Sequence, residues 1–520
     1  MLIEPDLLST IGGPDWILML PQLIVTGLAL LLLYGDAFLP REKHFVWLTT
    51  LSIVGYALAM GALWFQDGRN DQTFAGLFRA DGLGVFMTLV ILLASLLTVL
   101  VSASYVDRLE GRMPLGEFYV LLAFSTLGAT LVAASGDLIL IFVGIELSSL
   151  STYVLTAFAK RRATAVEGAM KYFLLGIFAS AILLYGMAWT YGATGTTNLD
   201  FIADALASGT AEVGLREPSL LFALLLLIVG LGFKMAAVPF HFWTPDAYDG
   251  AATPVTGWMS VVPKAAAFVA TIRILVQALG PLREDWLNLI AVLALITMAF
   301  GNIVAISQRN VKRMLAYSSI AHTGYAMVGL AAYRAESGFE SGGSGDQGIS
   351  ALLFYMFAYA IMNIGAFAVI AWLQHRGRGM TLDDFSGLAS TQPLAAAAMT
   401  VFMISLMGIP PTIGFYAKYR VILAAIESGT IGLWLAIGIV VLSAVSAFYY
   451  LRLVAVMYFN EPTTTPRTTS TPLLNFGIGG MAIATILGGL IFAGPIFELA
   501  ERWYRALTVM AQAAGLGFWG

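Results

Sequence analysis

The sequence contains no cysteine, and this absence excludes iron–sulfur clusters held by cysteine thiolates. Histidine is scarce as well, which leaves little material for a haem or a metal site. We therefore expect no cofactor and no metal in this chain, and we assign any associated electron transfer to other chains. The four histidines are His44, His241, His322 and His375.

Charged residues are also few. Only 11% of the 520 residues are charged and 59% are hydrophobic, whereas a soluble domain carries about a quarter charged residues. The longest polar stretches, 192–218, 333–348 and 460–472, have the length of loops. Because no soluble domain fits between the apolar segments, the chain is expected to lie in a membrane.

Long apolar runs fill most of the sequence. A helix needs about 20 apolar residues to cross the hydrocarbon core, and the runs predict about fourteen such spans. A membrane β-barrel would show alternating segments of about ten residues, but the run 220–232 is continuously apolar. The fold class is therefore an all-α polytopic membrane protein. In order, the predicted spans are 16–38, 46–65, 82–106, 118–135, 138–158, 170–191, 220–239, 253–279, 288–306, 311–332, 349–373, 393–424, 432–458 and 474–497.

The basic residues are distributed unevenly between the loops. Loops after odd-numbered spans, with the adjoining helix ends, hold fourteen lysines and arginines, and the other loops and the tails hold seven. By the positive-inside rule the odd loops face the cytoplasm and both termini lie outside. The first apolar run lacks the positive flank of a secretory signal, since residues 1–15 contain no lysine or arginine. We expect it to remain as a span in a bacterial inner membrane.

Prolines interrupt three apolar runs, at Pro239, Pro263 and the pair Pro410 and Pro411. Each proline frees a backbone carbonyl that lipid does not tolerate, although a simple packing kink is an alternative. Spans seven and twelve lie five spans apart, and both combine glycine, a proline break and a lysine. This recurrence is typical of inverted repeats with broken helices and predicts two five-helix repeats, in spans 4–8 and 9–13. The corresponding domains are 1–117, 118–279, 280–458 and 459–520.

Four ionisable residues stand inside predicted spans: Glu146, Lys234, Lys264 and Lys418. A charge near the bilayer centre costs at least about 2.5–3.5 kcal/mol, so each needs a structural or a functional reason. An acid–lysine pair could have a purely structural role and join two helices. A lysine near a helix end could simply extend its ammonium group to the membrane interface. A buried lysine can release its proton, whereas arginine stays charged. One acid and three lysines, two of them on the broken spans, favour a proton relay.

Other polar residues in the spans are weaker candidates. His322 and His241 are possible relay members, and each could equally be a buried histidine with satisfied hydrogen bonds. Arg273 and Arg420 lie close to predicted span ends, where we expect them to be interfacial.

Four motifs resemble a known family. The segment 239–268, PFHFWTPDAYDGAATPVTGWMSVVPKAAAF, resembles a signature of the N-type antiporter-like subunits of the respiratory NADH:quinone oxidoreductase, complex I. VEGAMKYFLLGIFASAILLYG, KRMLAYSSIAHTGYAMVG and GIPPTIGFYAKYRV also match. The likeness covers the chain from about span two onwards. Lys418 on span twelve favours the N type over the M type, which usually carries glutamate there, and the chain has no room for the long lateral helix of the L type.

The resemblance implies fourteen helices with two inverted repeats, and it also implies roles. The glutamate of span five, Glu146, would pair with Lys234 of span seven. Lys264 would be the central relay group, and Lys418 would exchange protons with the outside. Quinone reduction in other subunits would drive the transfer, and NADH, FMN, iron–sulfur clusters and quinone would reside in those partners. Neighbouring M-type and small membrane subunits and lipids are the expected partners, and nucleic acid is not.

Two alternative functions also fit the sequence. A subunit of a Mrp-type cation/proton antiporter would share the fold and the acid–lysine pair. An assembly scaffold that does not pump would share the spans, although a scaffold gains nothing from buried lysines beyond pairing.

Overall fold

A computed structural model describes residues 15–107, 115–160, 162–215, 217–333, 347–374, 380–462 and 472–513. These segments form a helical membrane domain with one two-stranded ribbon. The strands β1 (Asp71–Thr73) and β2 (Phe78–Ala80) pair antiparallel. The helices are α1 (Leu20–Phe38), α2 (Arg41–Ala62), α3 (Gly82–Asp107), α4 (Leu115–Ala133), α5 (Leu138–Thr156), α6 (Ala163–Thr194), α7 (Leu199–Ser208), α8 (Pro218–Met235), α9 (Thr244–Gly250), α10 (Thr253–Met259), α11 (Val262–Thr271), α12 (Arg283–Ser307), α13 (Val311–Ala331), α14 (Gln347–Gln374), α15 (Leu388–Thr391), α16 (Pro393–Met407), α17 (Ile413–Glu427), α18 (Thr430–Phe459), α19 (Pro472–Leu487) and α20 (Ala493–Ala513).

The helices confirm the predicted spans closely. Within the described residues, twelve helical segments are long and apolar enough to cross a membrane, and each coincides with a predicted span. The tenth predicted span corresponds to α13, which is 21 residues long and carries more polar side chains. The twelfth corresponds to α16 and α17, which are separated by a break of five residues, 408–412.

Both spans that were predicted to be broken are broken in the same way. Helix α8 ends at Met235, the next residue Ala236 adopts a left-handed backbone conformation, and a cis peptide bond precedes Pro239 three residues after Ala236. Helix α16 ends at Met407, the next residue Gly408 is left-handed, and a cis peptide bond precedes Pro411, again three residues later. The recurrence supports two related repeats. The domain boundaries proposed from sequence stay predictions.

The eighth span is also interrupted. Helix α10 ends at Met259 and α11 begins at Val262, with Pro263 at its second position. Proline is tolerated in the first turn because its missing N–H would have no helical partner there. Beyond α11 the chain continues as a wider π-helical turn, Ile272–Ala278. The proline therefore begins a new helix segment, and Lys264 lies in the first turn of that segment.

Burial separates a central group of helices from a peripheral one. In the span formed by α10 and α11, and in α14, 94% of the most apolar stretch of residues is buried inside the chain. In α18 the corresponding fraction is 28%. The peripheral helices present exposed apolar side chains, as expected of surfaces that contact lipid or other membrane subunits. The central helices must satisfy their polar groups from within the protein, and the candidate site lies among them.

Arg273 is buried inside the bundle and is not interfacial as predicted. Its position near a span end suggested an interfacial side chain, but Arg273 and Asp81 are both 0% exposed. The guanidinium donates to both oxygens of Asp81 at 2.9 Å and to the carbonyl of Ala133 at 2.6 Å. Asp81 also accepts the backbone N–H of Gly84 at the start of α3. The pair therefore joins the end of the eighth span to α3 and α4, inside the bundle.

Candidate functional site

Glu146 and Lys234 meet between α5, α6 and α8. The Lys234 ammonium lies 3.4 Å from Glu146 Oε1 and donates to the hydroxyls of Ser149 and Ser180, each at 3.0 Å. Ser180 in turn donates to Glu146 Oε1 at 2.5 Å. Lys234 occupies the last turn of α8, where the carbonyl ends of the helix favour a cation. The break after Met235 therefore helps to place this charge inside the membrane.

The two members of this pair differ in exposure. The side chain of Lys234 is 7% exposed and that of Glu146 is 21% exposed. Glu146 shares one face of α5 with Ile139, Val143 and Leu150, and these three apolar side chains are at least half exposed. Glu146 therefore lies at the perimeter of the chain, where another membrane subunit could approach it, while Lys234 lies inside.

A small cavity adjoins Lys234 on the side of the eighth span. Its volume is ≈ 20 Å³, which is sufficient for about one water molecule. The cavity lies between Lys234 and α11, and residues from both form its walls. Helix α11 also carries Lys264. The lining residues include Ser148, Ser149, Tyr172, Trp243, Pro263 and Ala267.

Lys264 is 1% exposed and is held by neutral oxygens. Its ammonium donates to the carbonyl and hydroxyl of Ser319 at 2.8 and 2.7 Å and to the hydroxyl of Thr323 at 2.9 Å. Thr323 also donates to the carbonyl of Met235 at 3.0 Å, next to Lys234. Within the described residues no carboxylate lies at salt-bridge distance from Lys264. These hydrogen bonds to neutral oxygens therefore stabilise its charge.

Helix α13 continues this polar network beyond Lys264. His322 lies one turn after Ser319, and its Nδ1 is 2.6 Å from the hydroxyl of Tyr355. Its Nε2 is 3.2 Å from the hydroxyl of Tyr450, which is itself 2.5 Å from the hydroxyl of Ser318. The ring is 2% exposed. The geometry places His322 beside the candidate relay, with groups on both nitrogens that can exchange protons.

Lys418 lies at the second break. Its ammonium donates to the carbonyl of Met407 at 3.0 Å and to the hydroxyl of Ser443 at 3.1 Å. It also lies 4.5 Å from the centre of the Tyr325 ring, which supplies a cation–π contact. A Cβ atom on Gly408 would approach Lys418 Cδ to 2.8 Å. The glycine therefore permits both the left-handed turn and the close approach of the lysine.

The structure does not connect His241 to this network. The ring packs against Phe242 and Phe300 at centroid distances of 4.8 and 4.5 Å. Its Nδ1 is buried and has no hydrogen-bond partner within the described residues. Among the described residues no hydrogen bond or ring contact joins it to the four charged residues, so its suggested relay role stays a prediction without structural support.

Several residues of the network were not singled out from the sequence. Ser149 and Ser319 lie three residues from Glu146 and His322, respectively, and this shared helix face was an available signal. The others gave no comparable signal, because tyrosine and threonine in apolar helices are common packing residues. They are Ser180, Thr323, Tyr325, Tyr355, Ser443 and Tyr450.

Comparison with known proteins identifies the family. Residues 135–445 match the family model for the transmembrane region of NADH:quinone oxidoreductase and Mrp antiporters. NADH-quinone oxidoreductase subunit N 2 of Symbiobacterium thermophilum is 40% identical, over 94% of this chain and 97% of that protein. Subunit N of Trichlorobacter lovleyi is 44% identical, over 85% of this chain and 87% of that protein. The chain belongs to the subunit N family of NADH-quinone oxidoreductase.

Solved structures agree with this assignment to the subunit N family. A chain of respiratory complex I from Thermus thermophilus is 33% identical with a TM-score of 0.75, and the match covers 92% of this chain and 99% of that one. A chain of an archaeal membrane-bound sulfane sulfur reductase is 27% identical with a TM-score of 0.79, covering 94% and 96%. A chain of the Mrp complex from Dietzia sp. has a TM-score of 0.80 over 94% and 97%, but at 24% identity it shows only the shared fold. This member of the subunit N family therefore belongs to a multisubunit membrane complex.

Proposed function

We propose that this chain translocates protons in the membrane arm of NADH:quinone oxidoreductase through a relay of Glu146, Lys234, Lys264 and Lys418. The observation that carries the proposal is a polar network inside the bundle that includes three buried lysines. Two of them, Lys264 and Lys418, are held by neutral oxygens. An apolar interior disfavours an ammonium without a nearby negative charge, so each lysine can release its proton when a neighbour can accept it.

Glu146 would connect the relay to the neighbouring subunit. Its position at the perimeter lets a charge in that subunit attract or release its carboxylate, and Lys234 is stabilised only while the carboxylate stays near. When Glu146 is drawn away, the Lys234 proton would pass toward Lys264 through the adjoining cavity. The expected neighbour is an M-type antiporter-like subunit, with small membrane subunits alongside.

The outward half would run along α13. Ser319 contacts Lys264, His322 lies one turn further along, and Tyr325 contacts Lys418. These side chains line one continuous stretch of the helix. Water between them would complete the path, since hydroxyl groups and water exchange protons readily. Lys418 would then release the proton to the outside.

The driving energy and the redox chemistry would come from other subunits. Within the described residues no group of histidine, aspartate or glutamate side chains has the arrangement of a metal site. NADH, FMN, iron–sulfur clusters and quinone would bind to partner subunits. The proposed location is the bacterial inner membrane with both termini outside, and this orientation rests on the distribution of basic residues.

The proposal is tested with Glu146→Gln and Lys234→Met in the assembled complex. Each substitution removes one charge of the pair. We expect fewer protons to be pumped per electron, because the remaining residue no longer has a charged partner whose movement can change protonation. Proton uptake into reconstituted vesicles and the rate of NADH oxidation are measured together. Controls are Glu212→Gln and Lys160→Met, which replace exposed residues. If the pair variants pumped as many protons per electron as the controls, the proposed roles would be wrong.

A further inference from the structure

The short helix α9 joins the broken seventh span to the eighth, and it touches both halves of the relay. Trp243, directly before the helix, forms a wall of the cavity beside Lys234. Its ring stacks on Tyr172 at 4.2 Å, and its Nε1 donates to the carbonyl of Phe233 at 3.1 Å. On the other side, the hydroxyl of Tyr248 donates to the carbonyl of Met259 at 3.4 Å and lies near Ser319, which holds the Lys264 ammonium. One helix thus borders the surroundings of both lysines.

Asp246 lies between these two contacts and anchors the helix to its neighbours. One carboxylate oxygen accepts a hydrogen bond from Lys171 of α6 at 2.7 Å, and the other accepts from Arg313 of α13 at 2.7 Å. The side chain of Asp246 is 30% exposed. One carboxylate therefore joins α9 to α6 and α13, the helices that carry the network residues Ser180 and Ser319.

The carboxylate of Asp246 stays ionised at neutral pH. Partial burial raises its pKa, but hydrogen bonds from Lys171 and Arg313 and their charges outweigh this effect, and the net pKa lies below the ordinary value. Because the pKa is lowered, the stabilisation from the bridge is fully present when the pH is above the ordinary pKa of aspartate. It is lost as the pH falls through the lowered pKa of Asp246. The bridge is thus intact under working conditions.

The position of Asp246 corresponds to that of Lys418 in the second repeat. Lys418 follows the left-handed Gly408 by ten residues, and Asp246 follows the left-handed Ala236 by ten residues. Each side chain fastens the segment after a break to its surroundings. Lys418 does so toward the predicted outer side, whereas the basic residues beside Asp246 belong to the predicted cytoplasmic side.

We propose that Asp246 is a positioning residue that holds α9 closed over the cytoplasmic end of the relay through its bridge to Lys171 and Arg313. The proposal rests on the relay described above. With the bridge in place, Trp243 and Tyr248 keep the surroundings of Lys234 and Lys264 closed to bulk water. When the bridge is lost, α9 can move, and protons reach both lysines without quinone reduction.

The test uses the assembled complex in reconstituted vesicles. Hydrogen bonds to charged groups are strong enough that Asp246→Asn should raise the open population, and with it the passive proton leak under an imposed pH gradient, about tenfold. Asp246→Glu keeps the charge and should restore a low leak. The matched control is Asp249→Asn, on the same helix, whose side chain accepts a hydrogen bond from Asn310 at 2.9 Å. We expect no added leak from this control.

Two further variants make the outcome decisive. If Asp246→Asn does not assemble, Lys171→Met removes one half of the bridge from a side chain that is 45% exposed, and it should give a smaller increase in leak. Adding Lys264→Met to Asp246→Asn should abolish the leak, because its route includes Lys264. A leak that persists in this double variant would overturn the proposal.

The same experiment separates this proposal from the relay itself. If Lys264→Met alone lowers the number of protons pumped per electron while Asp246→Asn leaks no more than Asp249→Asn, the relay stands and the positioning role is wrong. Failure of Asp246→Glu to restore a low leak would also contradict the positioning role. If Lys264→Met alone pumps normally, the relay is wrong.

Discussion

A complex carrying Lys264→Met is expected to assemble and to lose all proton translocation through this subunit. Methionine has similar length and fits an apolar helix, so the cost of packing is small. The substitution leaves the hydroxyls of Ser319 and Thr323 without one partner, at a cost of about 1–3 kcal/mol, but it also removes the cost of burying an ammonium. Stability should therefore change little while the proposed central relay group is absent.

Lys264→Arg separates charge from proton release at the same position. Arginine keeps a positive charge in the bundle but cannot release its proton in a protein. We therefore expect Lys264→Arg to lose translocation as Lys264→Met does, although it retains the charge. Vesicle acidification is compared with NADH oxidation in both variants. Normal translocation in the arginine variant would indicate that Lys264 acts only as a fixed charge or in assembly.

The largest effect on stability is expected from Arg273→Met. Removing one partner of a buried ion pair costs about 3–5 kcal/mol, because the other charge remains buried without a partner. Asp81 would retain only the N–H of Gly84 among its described hydrogen-bond donors, and the carbonyl of Ala133 would lose two. We expect much less assembled complex and a lower unfolding temperature. Blue native electrophoresis and thermal inactivation of the NADH–quinone activity measure both.

The double variant Arg273→Met with Asp81→Asn provides the internal check. It removes both charges together, and an ion pair replaced as a unit is often tolerated. We expect it to assemble better than the single variant. The control is Arg420→Met, since Arg420 is only partly buried and stacks on Phe497 at 3.9 Å. Equal assembly of Arg273→Met and Arg420→Met would contradict the structural role assigned to the buried pair.

Sequence predicted the spans and the buried charges because both follow from the cost of polar groups in lipid. A continuous apolar run and an isolated lysine are visible without knowledge of the partners. The break at Gly408 could be located because proline and glycine act on the backbone directly. The matching break after Ala236 was located by Pro239 alone, since a left-handed alanine has no distinctive local signal.

Contacts between distant segments could not be predicted in this way. Arg273 lies near a span end in the sequence, but its partner Asp81 is 192 residues away along the chain. His241 and His322 looked alike as candidates, and only the packing distinguishes them, with phenyl rings around one and tyrosine hydroxyls around the other. Helix periodicity indicates which side of its own helix a residue occupies, but it does not indicate which other helix packs against that side.

The central claim is that Lys264 and Lys418 act in series in one proton path. It is tested most directly by the proton-to-electron ratio of the reconstituted complex with Lys264→Met, with Lys418→Met and with both substitutions. Groups in series give the same lowered ratio in all three variants, because blocking one path twice has no added effect. An unchanged ratio in either single variant, or a lower ratio in the double variant than in the single ones, would contradict the account.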